Sequence, residues 1–214
     1  MGFLNNFVIL FNDNNKPISG NVTIQEQYET FKQLGFVLND GIDFSEVLKL
    51  CPTNYTAKEP PYHHLYIILG QSTEAEPWTP FTNQCWNFDI EAIEDHGSYI
   101  DILNNISRIT NGELVFENVE DYVDIDEETA WVSFTCRGDK YKWDLVVDND
   151  WTDGRLFDKI QELTVKYNTK GKFTYFNTYG QDFVLGFHTP EALDKIRQAT
   201  GLEIVRLKAQ GQIY

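Results

Sequence analysis

Two pairs of alternating runs, each pair joined by a short polar turn, constrain the fold more than anything else in the chain. AWVSFTC (130–136) and KYKWDLVV (140–147) flank Arg137-Gly138-Asp139, and KFTYFN (172–177) faces DFVLGFH (182–188) across Thr178-Tyr179-Gly180-Gln181. Period-two alternation bounded by turn residues is the signature of a β-hairpin. In the first hairpin Trp131, Ser133 and Thr135 share one face, and Val132, Phe134 and Cys136 the other. Trp131 and Trp143 are expected to face each other as a cross-strand pair. Further strands are expected at Asn6–Phe11, Tyr62–Leu69, Cys85–Ile90 and Glu203–Leu207. Hairpins thus outnumber strand–helix–strand crossovers, which points to an α+β fold with a mainly antiparallel sheet and helices packed on one face.

Cap chemistry places the helices. Thr23-x-x-Glu26 is a capping box ahead of Ile24, Tyr28, Phe31 and Leu34, with Gly35 as the stop. Ser98-x-x-Asp101 is expected to open a second helix, with Tyr99, Ile102, Leu103, Ile106 and Ile109 on one face. Thr189-Pro190-Glu191 opens another that ends at Gly201, and Asp43 caps a short one over 43–50. Ser72–Asn83, with Pro77 and Pro80, reads as loop. Gly97 is a candidate boundary, giving subdomains at 1–96 and 97–214 unless the 214 residues form one domain.

Charge excludes more than it selects. Seventeen basic against 33 acidic residues give a formal net charge of −16, and residues 86–130 hold 13 of those carboxylates with Arg108 as their single cation. A chain without a basic stripe cannot neutralise phosphates, so neither nucleic acid nor an anionic membrane is an expected partner. A basic protein is. No apolar run is long enough to span a bilayer, and the N-terminal run lacks the basic start of a signal peptide, so the protein is expected in the cytoplasm. Cys51, Cys85 and Cys136 are too few and too scattered for a disulfide framework or a zinc site, and are expected as buried thiols.

The stretch LVVDNDWTDG (145–154) is the strongest lure toward catalysis. As a calcium loop it fails, since Asp153 stands where glycine is required and Lys159 where a bidentate glutamate is. Asp148-x-Asp150-x-Thr152 also resembles the first motif of haloacid-dehalogenase-type phosphatases, which would make Asp148 a nucleophile and Asp150 an acid/base beside magnesium. That motif belongs on the first strand of a parallel sheet, whereas this strand is half of a hairpin. The simpler expectation is a strand end and a helix start, with Thr152 or Asp150 as cap of a helix carrying Leu156, Phe157, Ile160, Leu163 and Tyr167. Adjacent His63 and His64 in a strand would point to opposite faces, one buried and one solvated, and could not share a metal. No nucleophile elbow, P-loop or dinucleotide fingerprint is present, so no enzyme, metal or cofactor is expected.

Residues 98–208 resemble a small bacterial domain of the polymorphic-toxin immunity type, through AWVSF (130–134), YKW (141–143), VDNDW (147–151), GQDFVLGF (180–187), TPEAL (189–193) and ATGL (199–202). The resemblance implies a module that neutralises a toxin by covering a basic, nuclease-like site. FENVEDYVDIDEE (116–128) has the matching character, and Glu117, Glu120, Asp121, Tyr122, Asp124, Asp126, Glu127 and Glu128 are its candidate partner-binding residues. Tyr122, Val123 and Ile125 are its candidate apolar anchors. Two alternatives are the phosphatase reading through Asp148 and Asp150, and an acidic structural or assembly protein.

Overall fold

A computed structural model describes residues 22–51 and 60–207; the strand expected at Asn6–Phe11 lies outside them. In chain order the elements are helices α1 (Ile24–Gln33), α2 (Phe44–Lys49) and α3 (His63–Leu69), strand β1 (Cys85–Asp89), helix α4 (Ser98–Ile109), strands β2 (Glu117–Asp124), β3 (Thr129–Cys136) and β4 (Asp139–Leu145), helix α5 (Arg155–Lys166), strands β5 (Lys172–Asn177) and β6 (Asp182–His188), helix α6 (Pro190–Thr200) and strand β7 (Val205–Arg206). They form an α+β fold with two antiparallel sheets, ordered β1-β6-β5-β7 and β2-β3-β4.

The four-stranded sheet is covered on both faces, because its strands are apolar on both. Phe173, Tyr175, Phe183 and Leu185 join Ile102, Leu103 and Ile106 of α4, Leu156 and Ile160 of α5, and Val132 of β3 in one core cluster. Phe176 and Val184 join Phe31 of α1, Leu65, Tyr66 and Leu69 of α3, and Leu193 and Ile196 of α6 in a second. Continuous apolar runs are what a doubly covered strand requires. The expected one-sided arrangement describes the three-stranded sheet, whose inner residues Val123, Ala130, Val132, Phe134 and Leu145 meet the first cluster. Its outer face bears the half-buried Trp131, Ser133 and Thr135.

Local chemistry holds where it is self-contained. Thr23 Oγ1 accepts from Glu26 N–H while Glu26 accepts from Thr23 N–H, which completes the capping box. Asp43 accepts from Ser45 N–H, and Thr189 accepts from Ala192 N–H ahead of Pro190. Gly201 ends α6 with φ +72, a left-handed conformation natural for glycine.

Three expectations need correction. Tyr62–Leu69 is not a strand; helix α3 begins at His63 and buries Leu65, Tyr66, Ile68 and Leu69. A short apolar run does not distinguish the two by period. What decides is packing: Gly70 closes the helix against β1, where an added Cβ would lie 2.5 Å from Asn87 N, and Gly70 O accepts from Asn87 N–H at 2.8 Å. His63 and His64 are accordingly both half-buried helical residues, with ring centroids 5.8 Å apart. Trp131 and Trp143 are not a cross-strand pair. Arg137 (φ 49) and Gly138 (φ 85) form a two-residue turn that sets Cys136 opposite Asp139, so Trp131 faces Asp144 and Trp143 faces Val132. Trp143 therefore points inward, 4.8 Å from Phe134, and Trp131 outward. Finally, Cys85 and Cys136 are buried but Cys51 only partly so.

Candidate functional site

The register of β2 sorts its acidic residues by face. Glu120 pairs with Ser133, Tyr122 with Trp131 and Asp124 with Thr129, so these three share the outer face. Asp121 and Val123 oppose Val132 and Ala130 and point inward. A register irregularity between Glu117 and Glu120, with Asn118 at φ 51, bends the strand near its start. Asp126, Glu127 and Glu128 follow in an exposed turn, held by Glu127 N–H donating to Asp124 Oδ1 at 2.9 Å.

This geometry revises the roles of three candidates. Asp121 caps α4: its carboxylate accepts from Gly97 N–H at 2.8 and 2.9 Å, Tyr99 N–H at 3.0 Å and Ile100 N–H at 3.3 Å. A carboxylate at a helix N-terminus satisfies orphan donors and meets the positive end of the dipole. Ser98, expected as that cap, is the first helical residue and instead accepts from Glu94 N–H at 3.2 Å. Of the anchors, Val123 is 3% exposed and part of the core, and Ile125 packs on the same cluster. Only Tyr122 is turned outward; its hydroxyl donates to Asp124 at 3.3 Å, and the Asp124 charge first of all raises its pKa.

Beside β2 a cleft of about 470 Å³ opens between β1 and the start of α4. Trp86, Asp89, Glu94, Asp95, His96 and Asp101 line it. His96 joins the cleft to the sheet: its ring lies 4.9 Å from that of Tyr122, its Nδ1 accepts from Val123 N–H at 3.2 Å, and the same nitrogen lies 3.2 Å from Asp95. Asp89, Glu94, Asp95, Asp101, Glu120 and Asp124 therefore lie along one surface, running from the cleft across His96 to the outer face of β2, whereas Glu113 follows the far end of α4 beside Lys170. Sequence reasoning gathered these carboxylates by count but named only the β2 portion; Trp86, Asp89, Glu94, Asp95 and Asp101 join it through α4 packing, which carries no local signal.

Six of the thirteen accept hydrogen bonds within the fold, and those of Asp89, Asp95 and Asp124 come from backbone N–H groups one to three residues on. Asp121 caps a helix, Glu113 accepts from Lys170 N–H at 2.6 Å, and Glu91 accepts from Gln181 Nε2 at 2.8 Å. Among the described residues none of the thirteen pairs with a lysine or arginine, whereas the ion pairs Glu29–Lys32, Glu46–Lys49, Asp153–Arg155, Asp139–Lys166 and Asp194–Arg197 all lie outside the segment. Arg108, the segment's one cation, is turned away from it: it donates to Thr82 O and Asn105 Oδ1, and burial lowers its pKa.

The 145–154 stretch is a strand end and helix start, but its cap is neither Thr152 nor Asp150. Gly154 holds the N-cap position, and the Asp153 carboxylate, 6% exposed, accepts from Arg155 N–H at 3.0 Å and Val146 N–H at 2.8 Å. Burial alone would raise its pKa; hydrogen bonds from the Arg155 guanidinium and those two backbone groups outweigh it and hold the pKa low. Thr152 Oγ1 is buried without a hydrogen-bond partner. Asp148 and Asp150 are exposed, and their carbonyls accept from Trp151 and Ile93 N–H at 3.0 Å. They follow β4, which pairs only antiparallel with β3, a different setting from the parallel strand on which the phosphatase motif sits.

Among the described residues no three His, Cys, Asp or Glu side chains are placed to hold a metal ion, and no helix is long and apolar enough to cross a membrane. What fold and site define is an α+β protein with an anionic surface set with aromatic rings, whose carboxylates form no ion pair with a lysine or arginine among the described residues. No family model, no curated protein and no solved structure matches the chain.

Proposed function

We propose that this protein is a binding module whose anionic surface receives a cationic partner protein, and that it neutralises a bacterial toxin in the manner of an immunity protein. The observation that carries the reading is that, among the described residues, the carboxylates gathered around one cleft and one sheet face, Asp89, Glu94, Asp95, Asp101, Glu120 and Asp124, form no ion pair with a lysine or arginine. Like charges held together without counter-charges repel one another and cost stability. The same field accelerates the approach of a basic protein and fixes its orientation. A toxin that cuts nucleic acid needs a cationic cleft, and an acidic surface of this kind can fill it. The likeness of residues 98–208 to immunity-type domains adds the biological setting.

Co-expression with the product of the reading frame beside its own gene tests the proposal. Growth arrest by that product should be relieved by the wild-type protein. A Glu94→Lys/Asp101→Lys/Glu120→Lys variant should fold but give no relief. A neighbouring product that is harmless, or relief that survives charge reversal, would contradict the proposal.

A further inference from the structure

We infer that the uncovered face of the three-stranded sheet is an arginine-binding subsite, in which a guanidinium of the partner stacks on Trp131, held in place by Tyr122, and is gripped by the carboxylates beside them. The inference rests on the reading of this surface as a cation-binding face and states which cation it takes and where. Strand register builds the site. Tyr122, Trp131 and Asp144 form one row across β2, β3 and β4, and Glu120, Ser133 and Lys142 form the next. The Tyr122 and Trp131 rings stack, with centroids 6.3 Å apart and planes inclined by 11°, so Tyr122 supports the indole from the side of β2. Glu120 and Asp144 flank it, and neither has an ion-pair partner among the described residues.

Trp131 already attracts a cation. Lys142 Nζ sits 3.9 Å from the centre of the Trp131 ring, inside the range where an ammonium is held by the negative face of an indole. Lysine is the weaker occupant of such a place. Its ammonium is compact and strongly hydrated, whereas a guanidinium is planar, stacks over its whole area and offers a fork of donors to carboxylates. Lys142 is an exposed edge-strand residue on a flexible stem, free to yield the ring to an arginine from outside. Charge complementarity thus selects a basic partner, and the indole face of Trp131 beside Asp144 selects arginine over lysine within it.

Acetylated hexa-arginine and hexa-lysine peptides, titrated calorimetrically at low ionic strength into the full chain, test this. The wild type should bind the arginine peptide more tightly. Trp131→Thr, with folding checked by circular dichroism, should weaken that peptide about tenfold and leave the lysine peptide within about twofold. Tyr122→Thr, on the edge strand and safer for folding, should weaken the arginine peptide about threefold, and Lys142→Gln should tighten it by removing the resident cation. Equal binding of the two peptides, unmoved by Trp131→Thr or Tyr122→Thr but weakened by Glu94→Gln/Asp101→Asn, would overturn the arginine subsite and leave the cation-binding reading standing. Binding of neither peptide would overturn both.

Discussion

The two sheets of this protein are built from similar hairpins and put to different use. The four-stranded sheet is buried on both faces, and its strands KFTYFN and DFVLGFH carry an apolar or small side chain at nearly every position. The three-stranded sheet is buried on one face and bare on the other, and there its strands alternate between core residues and Glu120, Tyr122, Asp124, Trp131 and Lys142. A doubly covered sheet has no side chain to spare for a partner. A singly covered one displays every second residue, and its charge and rings are free to be set by binding. The contrast therefore leaves the first sheet wholly within the core and one face of the second open to solvent, and it is on this open face that the proposed function depends.

Truncation should break the comparison most visibly. Phe176→Ala, in the doubly covered sheet at 4% exposure, should cost ~3–5 kcal/mol in urea denaturation, while Trp131→Thr on the bare face should cost under ~1 kcal/mol. Comparable losses at the two sites would erase the division of labour.

Acid should act next, through a histidine of the first sheet. His188 is buried beside Thr174 and Gly186, and burial lowers its pKa from 6.5 to about 4. The unfolded chain then binds the proton more readily than the native one. The histidine's contribution is intact above pH 6.5 and is lost as pH falls from there toward 4, by up to ~3 kcal/mol. His188→Gln should flatten that slope relative to wild type. An identical pH dependence in the variant would show that His188 does not set it.

Within β2 itself, inward and outward carboxylates should separate. Asp121→Asn weakens the cap of α4 and should cost ~1–2 kcal/mol, whereas Glu120→Gln should be neutral or slightly stabilising because it relieves repulsion. Equal effects on melting would mean the strand's faces are wrongly assigned. The smallest effect should come from Thr152→Val: its hydroxyl has no partner, so the loss should stay within ~0.5 kcal/mol, while Asp153→Ala should cost more than ~1 kcal/mol.

How far these features could be read in the sequence follows the distance over which each is decided. The capping box at Thr23 and Glu26, the Thr189-Pro190 helix start and both hairpins are closed by neighbours within a few residues, and they appear where the spacing places them. The cap of α4 comes from Asp121, more than twenty residues away, so the nearer Ser98 looked like the better candidate. Helix α3 was hidden because its apolar run fits either period, and the close contact of Gly70 with β1 is a tertiary fact. The Trp131–Trp143 pairing failed by one residue of turn length: counting Asp139 as turn conceals that it begins β4, and a shift of one exchanges the faces. The acidic segment was visible as composition. That part of it gathers with Trp86 and His96 into a single surface depended on where α4 packs, while the division of its carboxylates between structure and surface depended on register.

The central claim is that this surface, rather than the other faces of the described residues, takes a cation. Amide chemical-shift mapping of the full chain titrated with the hexa-arginine peptide tests it most directly. The account predicts shifts that saturate together and cluster at residues 86–101, 117–133 and 142–144, and that vanish at high salt as the field is screened. Shifts centred on α1, α2 or α6, or spread evenly over the exposed carboxylates of the whole chain, would contradict it.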